Sequence, residues 1–275
     1  MKKILLVFDG THFSEGAFAF ARELNERNPI LLTAAFLPQV DYANLWSFSG
    51  GGAAGPIYLP LVEEADAAVL AKNIARFESL CQKNDIEYRV HKDFYDFALP
   101  ELKNESRFAD LLIVGSEIFY ENLEGPGLNE SMGEMLHDVQ CPVVIVPEKF
   151  EFPQSNILAY DGSESAVFAI KQFAYLFPEF SANKTILVHI QANEKEELPN
   201  QVLVEELVAR HFPDLTLCGL DIDLKKYLST WLSEQKGAIL VSGAFGRSFI
   251  SRLFRHSFIA KVISDHKLPV FIAHP

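Results

Sequence analysis

Ile4-Leu5-Leu6-Val7-Phe8-Asp9-Gly10-Thr11 and Ile157-Leu158-Ala159-Tyr160-Asp161-Gly162-Ser163 are the two stretches that decide the fold. Each is a short apolar run that ends in Asp-Gly and a hydroxyl residue, and the two aspartates stand 152 positions apart (161 − 9). Runs this uniformly apolar read as strands buried on both faces of a sheet. A helix-period stretch follows each of them. In the second, Ala166, Ala169, Ile170, Phe173 and Phe177 fall on one face, with Ser163 or Ser165 as the N-cap.

Two further landmarks recur in the same order. Asp110-Leu111-Leu112-Ile113-Val114-Gly115 matches Ala238-Ile239-Leu240-Val241-Ser242-Gly243. Cys141-Pro142-Val143-Val144-Ile145-Val146-Pro147 matches Leu268-Pro269-Val270-Phe271-Ile272-Ala273-His274. Such agreement points to one unit written twice. Between the landmarks of the first copy, Ile30–Phe36 reads as a strand and 61–83 as a helix with Val62, Ala65, Val69, Phe77 and Leu80 inward. A short strand over 87–90 and a helix over 99–108 follow. In the second copy, strands are expected over 185–190 and 215–220 and helices over 202–211 and 224–235.

Alternation of apolar strands with amphipathic helices implies a parallel sheet covered on both faces. The fold class is therefore α/β: two Rossmann-like, doubly wound, five-stranded domains in tandem, over 1–148 and 156–275, joined near Pro153. If Val143–Val146 and Val270–Ala273 close their sheets, two apolar edges are left open to aggregation. Pairing them with each other buries both in an intramolecular pseudo-dimer. One segment, 44–60, has no counterpart. It carries Gly50-Gly51-Gly52, Gly55-Pro56 and Pro60 and reads as a mobile loop, either an insertion without a role or a lid over a ligand cleft.

Composition narrows the partners. With 275 residues and 49% hydrophobic content the chain can fill one large or two ordinary domains. A net charge of −13 argues against nucleic acid or an anionic membrane surface. Cys81, Cys141 and Cys218 are odd in number, scattered and without Cys-x-x-Cys, which disfavours a disulfide framework or a zinc site and fits a reducing cytoplasm. The apolar start is cut by Asp9-Gly10, too soon for a signal peptide or a membrane span.

The chemistry concentrates after Gly243. There Ala244-Phe245-Gly246-Arg247-Ser248 leads on through Arg252 and Arg255 to His256-Ser257. A strand, two glycines, arginines and hydroxyls are the parts of an anion site at a helix N-terminus. A tight turn followed by a solvated basic loop has the same composition. Asp9 and Asp161 either cap their own turns or reach a ligand. No Gly-x-Ser-x-Gly elbow, phosphate-binding Gly-x-x-x-x-Gly-Lys loop or metal-type histidine spacing occurs, and no general base is legible near the loop; Asp265 lies beyond Ser257, on the solvated side.

With these residues laid out, the chain resembles a tandem universal stress protein. The resemblance rests on the Asp-Gly-Ser/Thr turns, the Gly-x-x-Gly-(x9)-Gly-Ser pattern after the fourth strand, and the Cys-Pro-Val-x-x-Val last strand. It implies an adenine nucleotide, ATP or AMP, with Mg as a companion ion, in the second half. Asp161 and Ile190 would hold the nucleoside, and Gly243, Gly246, Arg247, His256 and Ser257 the ribose and phosphates. His256 replaces the third glycine; it either crowds the phosphates or donates a hydrogen bond to them. The first copy departs further, with Ser116-Glu117-Ile118 after Gly115 and Asn129-Glu130 in place of Gly-Ser.

Charge separates the copies. Residues 1–150 hold 12 Lys/Arg and 23 Asp/Glu, a net of −11, whereas 151–275 hold 12 and 14, a net of −2. Between Gly115 and Glu134 stand Glu117, Glu121, Glu124, Glu130 and Glu134 without a cation, opposite Arg247, Arg252 and Arg255 in the second copy. Like charges about 8 Å apart repel by about 1 kcal/mol per pair at an effective dielectric near 40, so a nucleotide is expected in the second half alone. The expected role is a stress-response regulatory or sensing module. The alternative is an interaction protein without nucleotide, acting through dimer surfaces or a small apolar ligand. Slow ATP hydrolysis and a homodimer of the whole chain stay open.

Overall fold

The structure, a computed structural model, describes residues 1–37, 46–48, 57–59, 64–91, 98–117, 130–191, 198–221, 231–232, 235–243, 262–263 and 265–275. In the first half the elements are β1 (Lys2–Phe8), α1 (Glu15–Arg27), β2 (Ile30–Phe36), β3 (Trp46–Phe48), β4 (Ile57–Leu59), α2 (Glu64–Lys83), β5 (Glu87–His91), α3 (Ala98–Ser106), β6 (Leu111–Gly115), α4 (Glu130–Asp138) and β7 (Val143–Val146). The second half continues with β8 (Ser155–Tyr160), α5 (Glu164–Leu176), β9 (Lys184–Gln191), α6 (Gln201–His211), β10 (Leu215–Asp221), β11 (Ala238–Gly243) and β12 (Val270–Ala273).

Ten strands form one sheet in the order β10-β9-β8-β11-β12-β7-β6-β1-β2-β5. From either end the strands come as third, second, first, fourth and fifth of their half, an order of the doubly wound class that the sequence led one to expect. Every neighbouring pair is parallel except the central one. There β12 meets β7 antiparallel, with Val270 opposite Ile145, Phe271 opposite Val144 and Ile272 opposite Val143. The two last strands thus cover each other's apolar edges, as the edge argument required.

Side-chain alternation along each strand feeds two cores, one per face. Ile4, Leu6 and Phe8 of β1 join Phe20, Phe77, Phe173, Phe177 and Phe271 on the face carrying α1, α2, α5 and α6. Leu5 and Val7 join Leu102, Met135 and Leu136 on the face carrying α3 and α4. The first core runs unbroken across the seam. Phe152, in the joining segment, has its ring centroid 5.3 Å from Phe20 and 5.6 Å from Phe180. The Arg27 guanidinium lies 4.0 Å over Phe152, and Lys2 Nζ pairs with Glu179 at 3.2 Å.

Three expectations need correction or refinement. Val69 does not face inward: it is 39% exposed, while Asn73, Phe77 and Cys81 are buried and Leu70, Ile74 and Leu80 pack beside them. A helical stripe anchored on Phe77 runs through residues three and four away, and Val69 falls off it. Val62 and the side chain of Ala65 lie outside the described residues. Nor is 44–60 loop throughout, since β3 and β4 pair antiparallel, Trp46 opposite Leu59 and Phe48 opposite Ile57. Aromatic and apolar residues on either side of the glycine-rich stretch have the strand preference that the sequence reading passed over. Finally, the N-cap of α5 is Ser163, whose Oγ accepts from Ala166 N at 3.1 Å. The helix expected over 224–235 lies outside the described residues apart from 231–232 and 235.

Candidate functional site

In a doubly wound sheet, ligands bind beyond the carboxyl ends of the strands where the strand order reverses. This molecule has two such places, one beyond β1 and β6 and one beyond β8 and β11. They are built from the same residue types and are in different states.

Beyond β1 the site is filled by its own chain. Asp9 is only 4% exposed. Its Oδ1 accepts from Thr11 N at 3.0 Å, Thr11 Oγ1 at 3.2 Å and His12 N at 2.8 Å, while Oδ2 lies 2.8 Å from His12 Nδ1. The loop is held from behind by Asn73, whose Nδ2 donates to the carbonyls of Gly10 at 3.3 Å and Thr11 at 3.0 Å. Phe13 is buried, stacked on Phe8 at 4.7 Å, with the Arg76 guanidinium 4.7 Å from its centre. At the N-terminus of α1 the Glu148 carboxylate accepts from Ser14 Oγ, from Glu15 N at 3.0 Å and from Gly16 N at 3.2 Å. Helix N-termini attract anions, and here the anion is a side chain of the same protein. Sequence reasoning found Asp9 but missed His12 and Glu148; the signal for His12 was the three extra residues between Asp9 and the helix cap.

Beyond β8 the turn is shorter and open. Asp161 is exposed, and its Oδ1 accepts from Ser163 N at 2.9 Å. No second hydrogen bond to Asp161 is present among the described residues. Gly162 has φ +82° and would bring a Cβ to 2.8 Å from Pro199 Cβ, so both backbone and space demand glycine. Gly243, at the end of β11, has a different reason to lack a side chain. A Cβ there would stand 2.4 Å from Ser165 C and 2.5 Å from Ala166 N, main-chain atoms of the first turn of α5. This glycine therefore brings the strand end against the helix N-terminus, the close approach an anion cradle needs.

Ile190 occupies β9 opposite Leu220, with the side chain outside the described residues. Gly246, Arg247, His256 and Ser257 also lie outside them. Of the sequence-derived set, the structure brings together Asp161, the β11 end at Gly243 and the first turn of α5.

Two neighbours went unnoticed in the sequence. His189 is buried on β9, and its ring Nδ1 lies 3.0 Å from the carbonyl of Tyr160. A carbonyl only accepts, so Nδ1 carries a hydrogen, and Nε2 is buried without a partner among the described residues. Tyr160 donates its hydroxyl to Pro199 O at 2.9 Å. Burial pushes that phenol above its ordinary range; a hydrogen bond with Asn200 opposes the shift and the Asp161 charge adds to it. In the first half the same strand-end place is taken by Phe8. Among the described residues no three His, Cys, Asp or Glu side chains gather as a metal site, and no helix is long and apolar enough to cross a membrane.

No protein-family model matches the chain, and no curated protein matches its sequence. Solved structures do match its shape. A universal stress protein from Archaeoglobus fulgidus DSM 4304 superposes with a TM-score of 0.69 at 15% identity, over 99% of this chain and 96% of that one. A functionally unknown protein from Pseudomonas aeruginosa PAO1 gives 0.57 at 13% identity, over 100% and 93%. End-to-end coverage with so little shared sequence means that the architecture is common to all three, and the fold of this chain is that of a universal stress protein.

Proposed function

We propose that the chain is a tandem universal stress protein, with domains over 1–148 and 156–275, that binds an adenine nucleotide in its second half and works as a cytoplasmic stress-response regulator or sensor. The observation that carries this reading is the state of the two strand-end aspartates. Asp9 is closed into its own loop, whereas Asp161 is exposed and, among the described residues, holds a single turn hydrogen bond. A carboxylate with an unused oxygen at a strand-order reversal can accept from a nucleoside hydroxyl or amine.

The rest of the site supports the same assignment. Gly243 seats the β11 end on the first turn of α5, and the sequence that follows supplies Gly246, Arg247 and Ser257 for phosphates, with His256 as an added donor. Ile190 lies on the strand beside β8, where an adenine would rest. In the first half a ligand would have to displace Phe13 and the Glu148 carboxylate, so that half serves packing. Calorimetric titration of the full chain with ATP and with AMP tests the reading. Saturable binding that is lost in Gly246→Glu and kept in Asp9→Ala is expected. No heat at millimolar nucleotide would overturn it in favour of a protein acting through its surfaces alone.

A further inference from the structure

The ten-stranded sheet ends in two edges of opposite character. At one end, β5 shows Glu87 and Arg89 to solvent, paired at 3.5 Å. Exposed charges on an edge discourage pairing with another chain. At the other end, β10 reads Leu215-Thr216-Leu217-Cys218-Gly219-Leu220-Asp221, with no proline and no charged residue before its last. Leu217 is 41% exposed, and among the described residues no strand pairs with the outer side of β10. The protective devices found on the first edge are missing from the second.

The main-chain groups available on that outer side can be named. Thr185 N donates to Asp214 O at 2.8 Å, and β10 runs parallel to β9 with Leu215 opposite Thr185. In a parallel pair, alternate residues turn both of their main-chain groups toward the same neighbour. Residues 216, 218 and 220 therefore bond β9 along with Asp214, and the N–H and C=O groups of Leu215, Leu217, Gly219 and Asp221 point outward. We infer that this edge is a homodimer interface, in which β10 of a second copy pairs antiparallel with it about a two-fold axis at Cys218, so that one sheet runs through both copies.

Register and charge both select this arrangement. A two-fold centred on Cys218 pairs all seven residues of the strand. It sets Leu217 opposite Gly219 and Leu215 opposite Asp221 as hydrogen-bonded pairs, and no charged residue of β10 meets its like. Cys218 then faces its own copy in a non-hydrogen-bonded pair, where Cα atoms lie about 4.5 Å apart, within disulfide reach. The occupant follows from the charge split: the first half carries −11 (12 − 23) and the second −2 (12 − 14). Pairing through β10 joins the nearly neutral halves and leaves both second halves between the acidic ones. At ~4.8 Å per strand, those intervening strands span ~48 Å, several Debye lengths at physiological salt. Pairing through β5 would set the acidic halves side by side.

Sedimentation velocity on the full chain at micromolar concentrations, paired with mild oxidation, tests the proposal. Burial pushes the thiols of Cys81 and Cys141 up to about 12, so neither competes in the oxidation. The expected result is a dimer that becomes disulfide-linked on oxidation, with no link in Cys218→Ser. Leu217→Pro removes an outward N–H that bonds nothing among the described residues, so it should leave a folded monomer. Leu217→Lys, which places a charge on the edge without constraining the backbone, should weaken association at least tenfold. A monomer throughout the concentration range, a dimer indifferent to Leu217→Lys, or a cross-link through Cys141 would each overturn the proposal.

Discussion

The turn after β1 and the turn after β8 begin with the same Asp-Gly pair and reach opposite ends. Five positions separate Asp9 from its helix cap Ser14, against two between Asp161 and Ser163 (14 − 9 and 163 − 161). The three added residues, Thr11, His12 and Phe13, are the ones that close the site. Two of them donate to Asp9 and the third fills the space beside Phe8. Keeping an aspartate therefore says little about keeping a ligand. What matters is whether the neighbouring chain supplies enough donors to satisfy the carboxylate internally. The same logic applies at the helix, where Glu148 occupies the N-terminus of α1.

The two strand-end glycines should differ most. An added Cβ at Gly243 meets main-chain atoms of α5, whereas at Gly115 it meets the Ser14 side chain, with Oγ at 2.6 Å. The Ser14 hydroxyl can turn aside, at the cost of its bonds to Glu148 and Ala17 N, and its Cβ at 2.9 Å need yield only a few tenths of an ångström, whereas the helix turn at 2.4 Å must move as a whole. Gly243→Ala is expected to cost about 3 kcal/mol and Gly115→Ala about 1 kcal/mol, the two ends of the usual overpacking range. Urea unfolding of the two variants measures the difference. Equal losses would mean that the second half closes no more tightly on its helix than the first.

The aspartates come next, and their effects should cross. Asp9→Ala leaves Thr11 N and His12 N without their acceptor in a part-buried loop, a loss of about 1 kcal/mol in stability with nucleotide affinity unchanged. Asp161→Ala, at an exposed turn, should shift stability by less than about 0.5 kcal/mol. It should weaken ATP binding about tenfold to a hundredfold, the worth of one hydrogen bond to a charged acceptor. Chemical denaturation and calorimetry on the same two proteins decide the matter. Affinity lost at Asp9 instead would reverse the assignment of the halves.

Much of this architecture was legible before any coordinates. Three repeated landmarks predicted two doubly wound five-stranded halves, and two apolar last strands predicted their pairing, because strand burial and edge protection depend on patterns one strand long. The contents of the turns were not legible. Phe13 reads as a loop residue until Phe8 and Phe18 are seen beside it. Glu148 reads as linker, since its partners lie 132 to 134 positions away. His189 is an ordinary member of an apolar strand until its Nδ1 is placed against the Tyr160 carbonyl. Such contacts depend on how distant segments close on one another, which residue spacing does not encode.

The smallest difference lies at the residues just before the two aspartates. Tyr160 and Phe8 occupy equivalent strand ends, and only the tyrosine can titrate. Its folded pKa is raised, chiefly by burial, so the folded protein holds this proton more tightly than the unfolded chain does. The stability this contributes is whole below the ordinary phenol value of about 10 and is lost as pH rises through the higher folded value. Tyr160→Phe, which makes the second turn resemble the first, should flatten that alkaline limb. At neutral pH it should cost about 1 kcal/mol, for the hydrogen bond to Pro199 O. Urea unfolding of parent and variant at about pH 9 and about pH 11 separates the two contributions. Parallel losses in both proteins would assign the limb to another group, and burial of the Tyr160 hydroxyl would then not be what distinguishes the second strand end from the first.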